Sequence, residues 1–386
     1  MTVTFPKGFK SSGIHSGIKE DNKLDLALIY MDEPVSPVAV GVFTSNEAKA
    51  SPVLVSQLNL EASKNAARAI ILNSGNANAG MGKKGFDDAS LMVQKVSQSL
   101  DLDFRDVLVA STGLIGIPMP IDRIIESIPL LISELSSDWE NSAKAILTTD
   151  TKEKTATFEG ESGFRIGAIA KGAAMLAPAL ATMLCVVTTD FRSDAQNLDL
   201  ALKLAVEDSF NSIVVDGCMS TNDTVLLLSS GSEEGSFDEF RSGLGQVLKS
   251  LSNQMVKDAE GSTVFANLKV KGAASKEQAR TCARQVATSV LVRCSLNGHD
   301  PYWGRILSEL GAARTGIDQH KVSIFYGETE VARDGAPFAH DAKSLKMYME
   351  RDEIEITADL KLGYFEAEIT FCDISHAYID ENIGTS

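Results

Sequence analysis

Apolar residues recur along this chain with two periods. Short unbroken runs, Ala69-Ile-Ile-Leu72, Val107-Leu-Val-Ala110 and Met183-Leu-Cys-Val-Val187, read as strands buried on both faces. Over 121–135 the spacing is three or four: Ile121, Ile124, Ile125, Ile128, Leu131, Ile132 and Leu135 share one helical face, and Pro129 predicts a kink or break. Residues 87–100 read as a helix with an acidic first turn, and 198–210 as another. Residues 224–228 and 263–270 read as further strands. Ser236-Phe-Asp-Glu239 and Ser275-Lys-Glu-Gln278 have the form of capping boxes and predict the starts of two long helices. Near the C-terminus, 353–357 and 365–371 alternate apolar with polar residues around Gly363, which predicts a half-exposed antiparallel hairpin.

This mixture places the chain in the α/β or mixed α+β class. Its 386 residues exceed what one core usually serves, so two domains or one large unit are both open. Aromatic residues are scarce at 6%, which implies a core of small side chains. A net charge of −16 repels phosphate backbones and acidic lipid, excluding nucleic acid and the membrane surface as partners. Five widely spaced cysteines without a Cys-x-x-Cys pair argue for a reducing compartment, and Cys185 reads as a core residue. With neither a leader-like start nor an apolar run of spanning length, the expectation is a cytoplasmic protein.

Small polar residues and glycine gather where the predicted strands end, which is where ligands bind in many α/β proteins. Asn73-Ser-Gly-Asn-Ala-Asn-Ala79 reads as a turn, and Ser111-Thr-Gly-Leu-Ile-Gly116 sets a hydroxyl beside a flexible backbone N–H, a pair suited to an oxyanion hole. Asp216-Gly-Cys-Met-Ser-Thr-Asn-Asp223 reads as a polar loop between helix and strand. Gly298-His-Asp-Pro-Tyr-Trp-Gly-Arg305 invites a catalytic or phosphate reading, although loop-and-cap packing explains it as well. The five histidines have no metal-ligand spacing, and no nucleotide-binding glycine motif is present, so neither metal nor nucleotide cofactor is expected. In Lys171-Gly-Ala-Ala-Met-Leu-Ala-Pro-Ala-Leu-Ala-Thr182, small residues and Pro178 lead to a threonine at the mouth of a buried strand. A threonine there is a candidate nucleophile for cutting its own Ala181–Thr182 bond, although a loop entering a core strand is the simpler reading. An N-terminal threonine carries nucleophile and base together, because its α-amine has a pKa of about 7.7–8.0.

Taken in order, these segments resemble the ornithine acetyltransferase family of arginine biosynthesis, also called bifunctional glutamate N-acetyltransferases. The resemblance is carried by Pro6-Lys-Gly-Phe9, Gly17-Ile-Lys19, Gly41-Val-Phe-Thr44, Ala50-Ser-Pro-Val53, Asn73-Ser-Gly-Asn-Ala-Asn78 and Ser111-Thr-Gly113. It continues through Thr148-Thr-Asp150, Lys171-Gly-Ala-Ala-Met175 with Ala181-Thr182, Ser220-Thr-Asn-Asp223, Asp300-Pro-Tyr-Trp-Gly-Arg305 and Glu381-Asn382. It implies stacked sheets flanked by helices, an αββα arrangement like that of N-terminal-nucleophile enzymes. It also implies self-cleavage into an α chain, 1–181, and a β chain, 182–386, assembled as an α₂β₂ heterotetramer.

The activity implied is transfer of acetyl from N-acetylornithine to glutamate through acetyl-Thr182, with acetyl-CoA admitted as a co-substrate but not required. Thr112 and Gly113 match the oxyanion pair. Thr148, Lys171, Thr182, Glu260, Asn382 and Ser386 match substrate-binding positions. Lys171 suits that role as a mobile cation for a carboxylate. Three features depart from the family pattern: a C-terminus one residue short after Asn382, Gly80-Met81 in place of Cys-Thr, and Cys218 in place of an acid. Two other readings stand beside this one. One is a self-processing aminopeptidase or amidohydrolase that gives the acyl group to water, and the other a non-catalytic binding or scaffold protein.

Overall fold

A computed structural model describes residues 2–20, 22–175 and 183–383. The chain forms two compact units, Met1–Asn211 with Cys218–Met255, and Ser212–Gly217 with Val256–Ser386.

The first unit holds two sheets. In the four-stranded one, Phe9–Ile14, Leu26–Met31, Ala69–Asn76 and Val107–Leu114 lie side by side, the last pair parallel. In the five-stranded one the order is Val38–Phe43, Thr224–Glu233, Leu184–Phe191, Arg165–Lys171 and Lys154–Glu159. Ile70, Leu72, Leu108 and Ala110 of the first sheet share one apolar core with Leu184, Val186, Leu226 and Leu228 of the second, so the sheets stack face to face. Residues of opposite parity, Ile71, Val107 and Val109, face Val93, Val96, Ile124 and Ile128 of the helices Gly82–Leu100 and Ile121–Ser133. On the far side of the second sheet, Phe191 stacks on Phe240 of the helix Phe237–Lys257 at 4.5 Å, and the helix Ala195–Glu207 packs on Val38–Phe43. The expected layering of stacked sheets between helices is what the structure has.

The second unit is built on a seven-stranded sheet. Its centre corrects the expected hairpin. Glu353–Asp359 and Phe365–Cys372 alternate as predicted but do not pair with each other: Phe265–Ala273 lies between them, parallel to the first and antiparallel to the second. Leu268 and Val270 on this inner strand have buried faces to fill, and period-two alternation says nothing about which strand is the neighbour.

Other differences are of extent. The helix expected from Asp87 begins at Gly82, so its acids lie beyond the first turn, and Lys83 and Lys84 pair with Asp87 and Asp88 one turn on. Pro129 sits inside the helix Ile121–Ser133 without ending it. Both capping boxes are half formed. Ser236 and Ser275 accept from the N–H groups of Glu239 and Gln278, but Glu239 binds the Glu161 N–H and Gln278 the Ala274 N–H. Cys185 is buried as expected, and burial raises its thiol pKa.

Candidate active site

Strands Ala69–Asn76 and Val107–Leu114 run further than their apolar runs, so Thr112–Gly113 lie at a strand end, as do Asn73–Asn76, where a turn is expected. At these ends the register slips, and Asn76 stands opposite both Thr112 and Leu114. Such irregularities re-aim side chains at the rims of sheets. Gly113 has φ +133°, and a Cβ there would lie 2.3 Å from the carbonyl carbon of Gly75, so only glycine fits. Thr112 is buried, and its hydroxyl has no hydrogen-bond partner among the described residues. The Ser111 hydroxyl donates to Asn73 at 2.6 Å, and the Asn73 amide donates to the Asn76 carbonyl at 2.9 Å. A buried hydroxyl beside a glycine whose position is fixed by close backbone packing is the donor arrangement an oxyanion needs.

The loop expected at 216–223 ends in two buried residues that tie this end to the neighbouring sheet. Asn222 donates to the carbonyls of Ala77, at 2.6 Å, and Ser111, at 2.9 Å. Asp223 accepts the backbone N–H of Met183 at 3.1 Å, and the Thr224 N–H returns a bond to the Met183 carbonyl at 3.1 Å. Burial raises the Asp223 pKa well above the ordinary carboxylate range, only partly opposed by the Met183 N–H, the nearby Ser220 and Thr44 hydroxyls and the charge of Lys171. Ala181 and Thr182, the proposed cleavage pair, lie outside the described residues, as does Ser386.

Thr148 and Lys171 converge on one carboxylate. The Thr148 N–H donates to Asp150 Oδ2 at 3.1 Å, and Lys171 Nζ stands 3.6 Å from the same oxygen. Lys154 Nζ holds Oδ1 at 2.6 Å, and the Gly172 N–H holds it at 2.7 Å. Burial alone would raise the Asp150 pKa, but Lys171 and Lys154 reverse this and hold it below its usual range. Lys171 is therefore not the mobile cation expected. It is buried at the end of a strand, opposite Leu184.

Lys19 connects this cluster to the oxyanion end. Its Nζ donates to the carbonyls of Leu24, at 2.9 Å, and Leu147, at 2.6 Å, while a Cβ on Gly75 would lie 3.1 Å from its Cγ. Asp25 fixes the backbone here, accepting from the N–H groups of Ser16, Ile18 and Lys19 and from the Ser16 hydroxyl. Burial pushes the Lys19 amine down to about 8, with Lys171 adding to the effect.

In the second unit Glu260 and Asn382 meet. The Asn382 amide donates to Glu260 Oε2 at 2.8 Å from the helix His376–Asn382, and Glu260 is largely buried. The His299–Arg305 segment keeps its packing role: His299 bonds the Met349 carbonyl, and Arg305 donates to the Leu291 carbonyl. Among the described residues no cluster of His, Cys, Asp or Glu is arranged to hold a metal, and no helix is long and apolar enough to cross a membrane.

Asp150, Asn222 and Asp223 stand inside segments that the sequence marks, but their roles are missed there. For Asn222 and Asp223 the available signal was an amide and a carboxylate directly before a strand with no exposed face; Asp150, four residues ahead of the partly exposed strand Lys154–Glu159, lacked it. Lys154 and Asp25 carried no such signal, since only the fold buries them.

A buried hydroxyl and a close-packed glycine at a strand end, set beside a second sheet in a helix-flanked stack, form the kind of site used by acyl-transferring enzymes. The chain belongs to the ArgJ family, which it matches over residues 10–384. It is 41% identical to the arginine biosynthesis bifunctional protein ArgJ of Streptomyces avermitilis over 389 residues, covering 100% of both chains. Identity to the protein of the same name from Dehalococcoides mccartyi is 41% over 394 residues, covering 99% of this chain and 96% of that one. A crystal structure of the arginine biosynthesis bifunctional protein from Bacillus halodurans aligns with a TM-score of 0.50 and 30% identity, over 52% of this chain and 98% of that chain. The protein is thus an acyltransferase of arginine biosynthesis.

Proposed function

We propose that the chain cuts itself between Ala181 and Thr182 and that the new N-terminal threonine carries acetyl from N-acetylornithine to glutamate. Thr182 Oγ attacks the acetyl carbonyl and its proton passes to the α-amine. The Thr112 hydroxyl and the Gly113 N–H stabilise the oxyanion, ornithine leaves with the proton, and glutamate takes the acetyl group by the reverse steps. The observation that carries this reading is the lock made by consecutive residues: Asn222 holds Ser111, next to Thr112, and Asp223 holds Met183, next to Thr182. The strand end that carries the proposed oxyanion donors and the residue that follows the proposed nucleophile in the chain are thereby tied to one framework.

Further features support it. Lys171 stands 3.6 Å from Asp150, beyond hydrogen-bond length, while Lys154 takes that carboxylate at 2.6 Å, which leaves Lys171 charge to offer a substrate carboxylate. Thr148, Glu260, Asn382 and Ser386 are the other positions that the family resemblance assigns to substrate binding. Cleavage at 181/182 gives pieces of 181 and 205 residues, and the B. halodurans chain corresponds to 52% of this one, close to the share of the longer piece. The pieces would stay together, because Arg165–Lys171 and Leu184–Phe191 are paired neighbours in one sheet. The working form in this reading is a cytoplasmic α₂β₂ heterotetramer, with acetyl-CoA admitted as a co-substrate that the transfer does not require. Incubation with N-acetylornithine and glutamate, without acetyl-CoA, tests the transfer. N-acetylglutamate and ornithine should appear in equal amounts, whereas free acetate in place of N-acetylglutamate would identify a hydrolase.

A further inference from the structure

Lys19 has no part in the transfer steps above, yet it holds the backbone behind two parts of the site. Its Nζ donates to the Leu147 carbonyl at 2.6 Å, and the N–H of that same peptide group, on Thr148, donates to Asp150 Oδ2 at 3.1 Å. One peptide unit is thus gripped by a cation at its oxygen and an anion at its nitrogen, and charge-assisted hydrogen bonds are about twice as strong as neutral ones. Because the Thr148 Cα lies in that plane, only its φ is left to set the direction of the side chain. The Thr148 hydroxyl has no hydrogen-bond partner among the described residues, so it is open to a ligand. Asp150 also stands 3.6 Å from Lys171 Nζ, which makes Lys19, the Leu147–Thr148 peptide, Asp150 and Lys171 one connected row.

The stem of the same side chain lies at the oxyanion end. A Cβ added to Gly75 would stand 3.1 Å from Lys19 Cγ, and Gly75 in turn backs Gly113, whose own added Cβ would stand 2.3 Å from the Gly75 carbonyl carbon. The root of Lys19 is anchored by Asp25, which accepts its N–H at 3.0 Å, and Nζ also donates to the Leu24 carbonyl at 2.9 Å. Burial, with the charge of Lys171, lowers the amine to about 8 against the pull of Asp25 and Asp150, so it still carries its charge at neutral pH.

We infer that Lys19 is a positioning residue of the amino-acid site: its ammonium sets the Leu147–Thr148 peptide, and through Asp150 the Lys171 ammonium, at a fixed distance from the strand end that carries Thr112 and Gly113. This rests on the function proposed above, in which Thr148 and Lys171 bind substrate and Thr112 and Gly113 receive the oxyanion. Because N-acetylornithine and glutamate use the site in turn, both half-reactions depend on Lys19.

The test compares wild type, Lys19→Met, Thr148→Ala and the double variant as full-length expressed proteins. Methionine keeps an unbranched stem against Gly75 and removes the ammonium. Calorimetric titration with L-ornithine gives Kd, and steady-state transfer from N-acetylornithine to glutamate gives kcat and both KM values. Lys19→Met should weaken ornithine binding by about 10–100-fold, the worth of a hydrogen bond to a charged group. Both KM values should rise with it, while kcat at saturation changes far less. In the Thr148→Ala background the loss of affinity should be smaller by at least about threefold, a coupling in the range found for residues that share a hydrogen-bond network. A merely structural role gives equal losses in both backgrounds. An ornithine Kd for Lys19→Met within about twofold of wild type, or equal losses with and without the Thr148 hydroxyl, overturns the inference and leaves the proposed function intact. A wild type that moves no acetyl group from N-acetylornithine to glutamate contradicts the proposed function itself. If circular dichroism shows that Lys19→Met does not fold, Lys19→Gln, which keeps a neutral donor, takes its place under the same criteria.

Discussion

The Asn222 side-chain amide donates to the carbonyl oxygen of Ser111 at 2.9 Å, and the same nitrogen donates to Ala77 at 2.6 Å. All three groups are buried, so one side chain fixes the strand end that carries Thr112 and Gly113 relative to the sheet entered at Met183.

Asn222→Ala removes both donors and leaves two buried carbonyls unpaired. The expected loss is about 2–6 kcal/mol of unfolding free energy, at about 1–3 kcal/mol for each unsatisfied group. Urea unfolding measures it, and kcat should fall together with stability. A variant within about 0.5 kcal/mol of wild type, the range of ordinary surface substitutions, would show that water replaces the amide and that the lock is not structural.

Gly113→Ala places a Cβ 2.3 Å from the Gly75 carbonyl carbon at φ +133°. The backbone must shift to relieve the overlap, and the N–H proposed to face the oxyanion shifts with it. Loss of one such donor lowers kcat by about 10²–10³-fold. Steady-state kinetics on folded variant should show that fall with little change in KM. Wild-type kcat in Gly113→Ala would remove Gly113 from the oxyanion hole.

Asp150→Asn takes the carboxylate from two buried lysines, Lys154 and Lys171. Breaking a buried pair costs about 3–5 kcal/mol. The pH dependence has a definite sign. The folded-state pKa of Asp150 is lowered, so its contribution is fully present above the unfolded value of about 3.9 and is lost only as pH falls through the folded value. Thermal midpoints of wild type and Asp150→Asn should therefore differ by a constant amount above about pH 5 and converge in stronger acid. A difference that shrinks between pH 5 and 8 would contradict this assignment.

The sequence and the structure agree most closely where a residue's local pattern decides its place. Apolar runs located the central strands at Ala69, Val107, Met183 and Thr224 because strands buried on both faces need unbroken hydrophobicity. The polar end at Asn73 is not the turn expected, since Asn73–Asn76 and Thr112–Gly113 continue the ladder, with Ser111 bonded to Asn73 across it. The hairpin at Glu353 and Phe365 failed for another reason: strand order is a non-local choice that alternation does not encode. At the site, Thr112 and Gly113 were legible from their residue types. Asp223 was not assigned a role, because its significance lies in a bond to a residue 40 positions earlier. Lys171 was read as mobile because nothing local announces that Asp150 is buried beside it.

The central claim is that Thr182 is both the point of cleavage and the carrier of the acetyl group. Intact mass of the purified folded protein, before and after brief exposure to N-acetylornithine, tests both halves at once. Two pieces of 181 and 205 residues are expected in place of the 386-residue chain, with one acetyl group gained by the longer piece alone. A folded protein that remains a single uncut chain, or that takes its acetyl group on the shorter piece, would contradict the account.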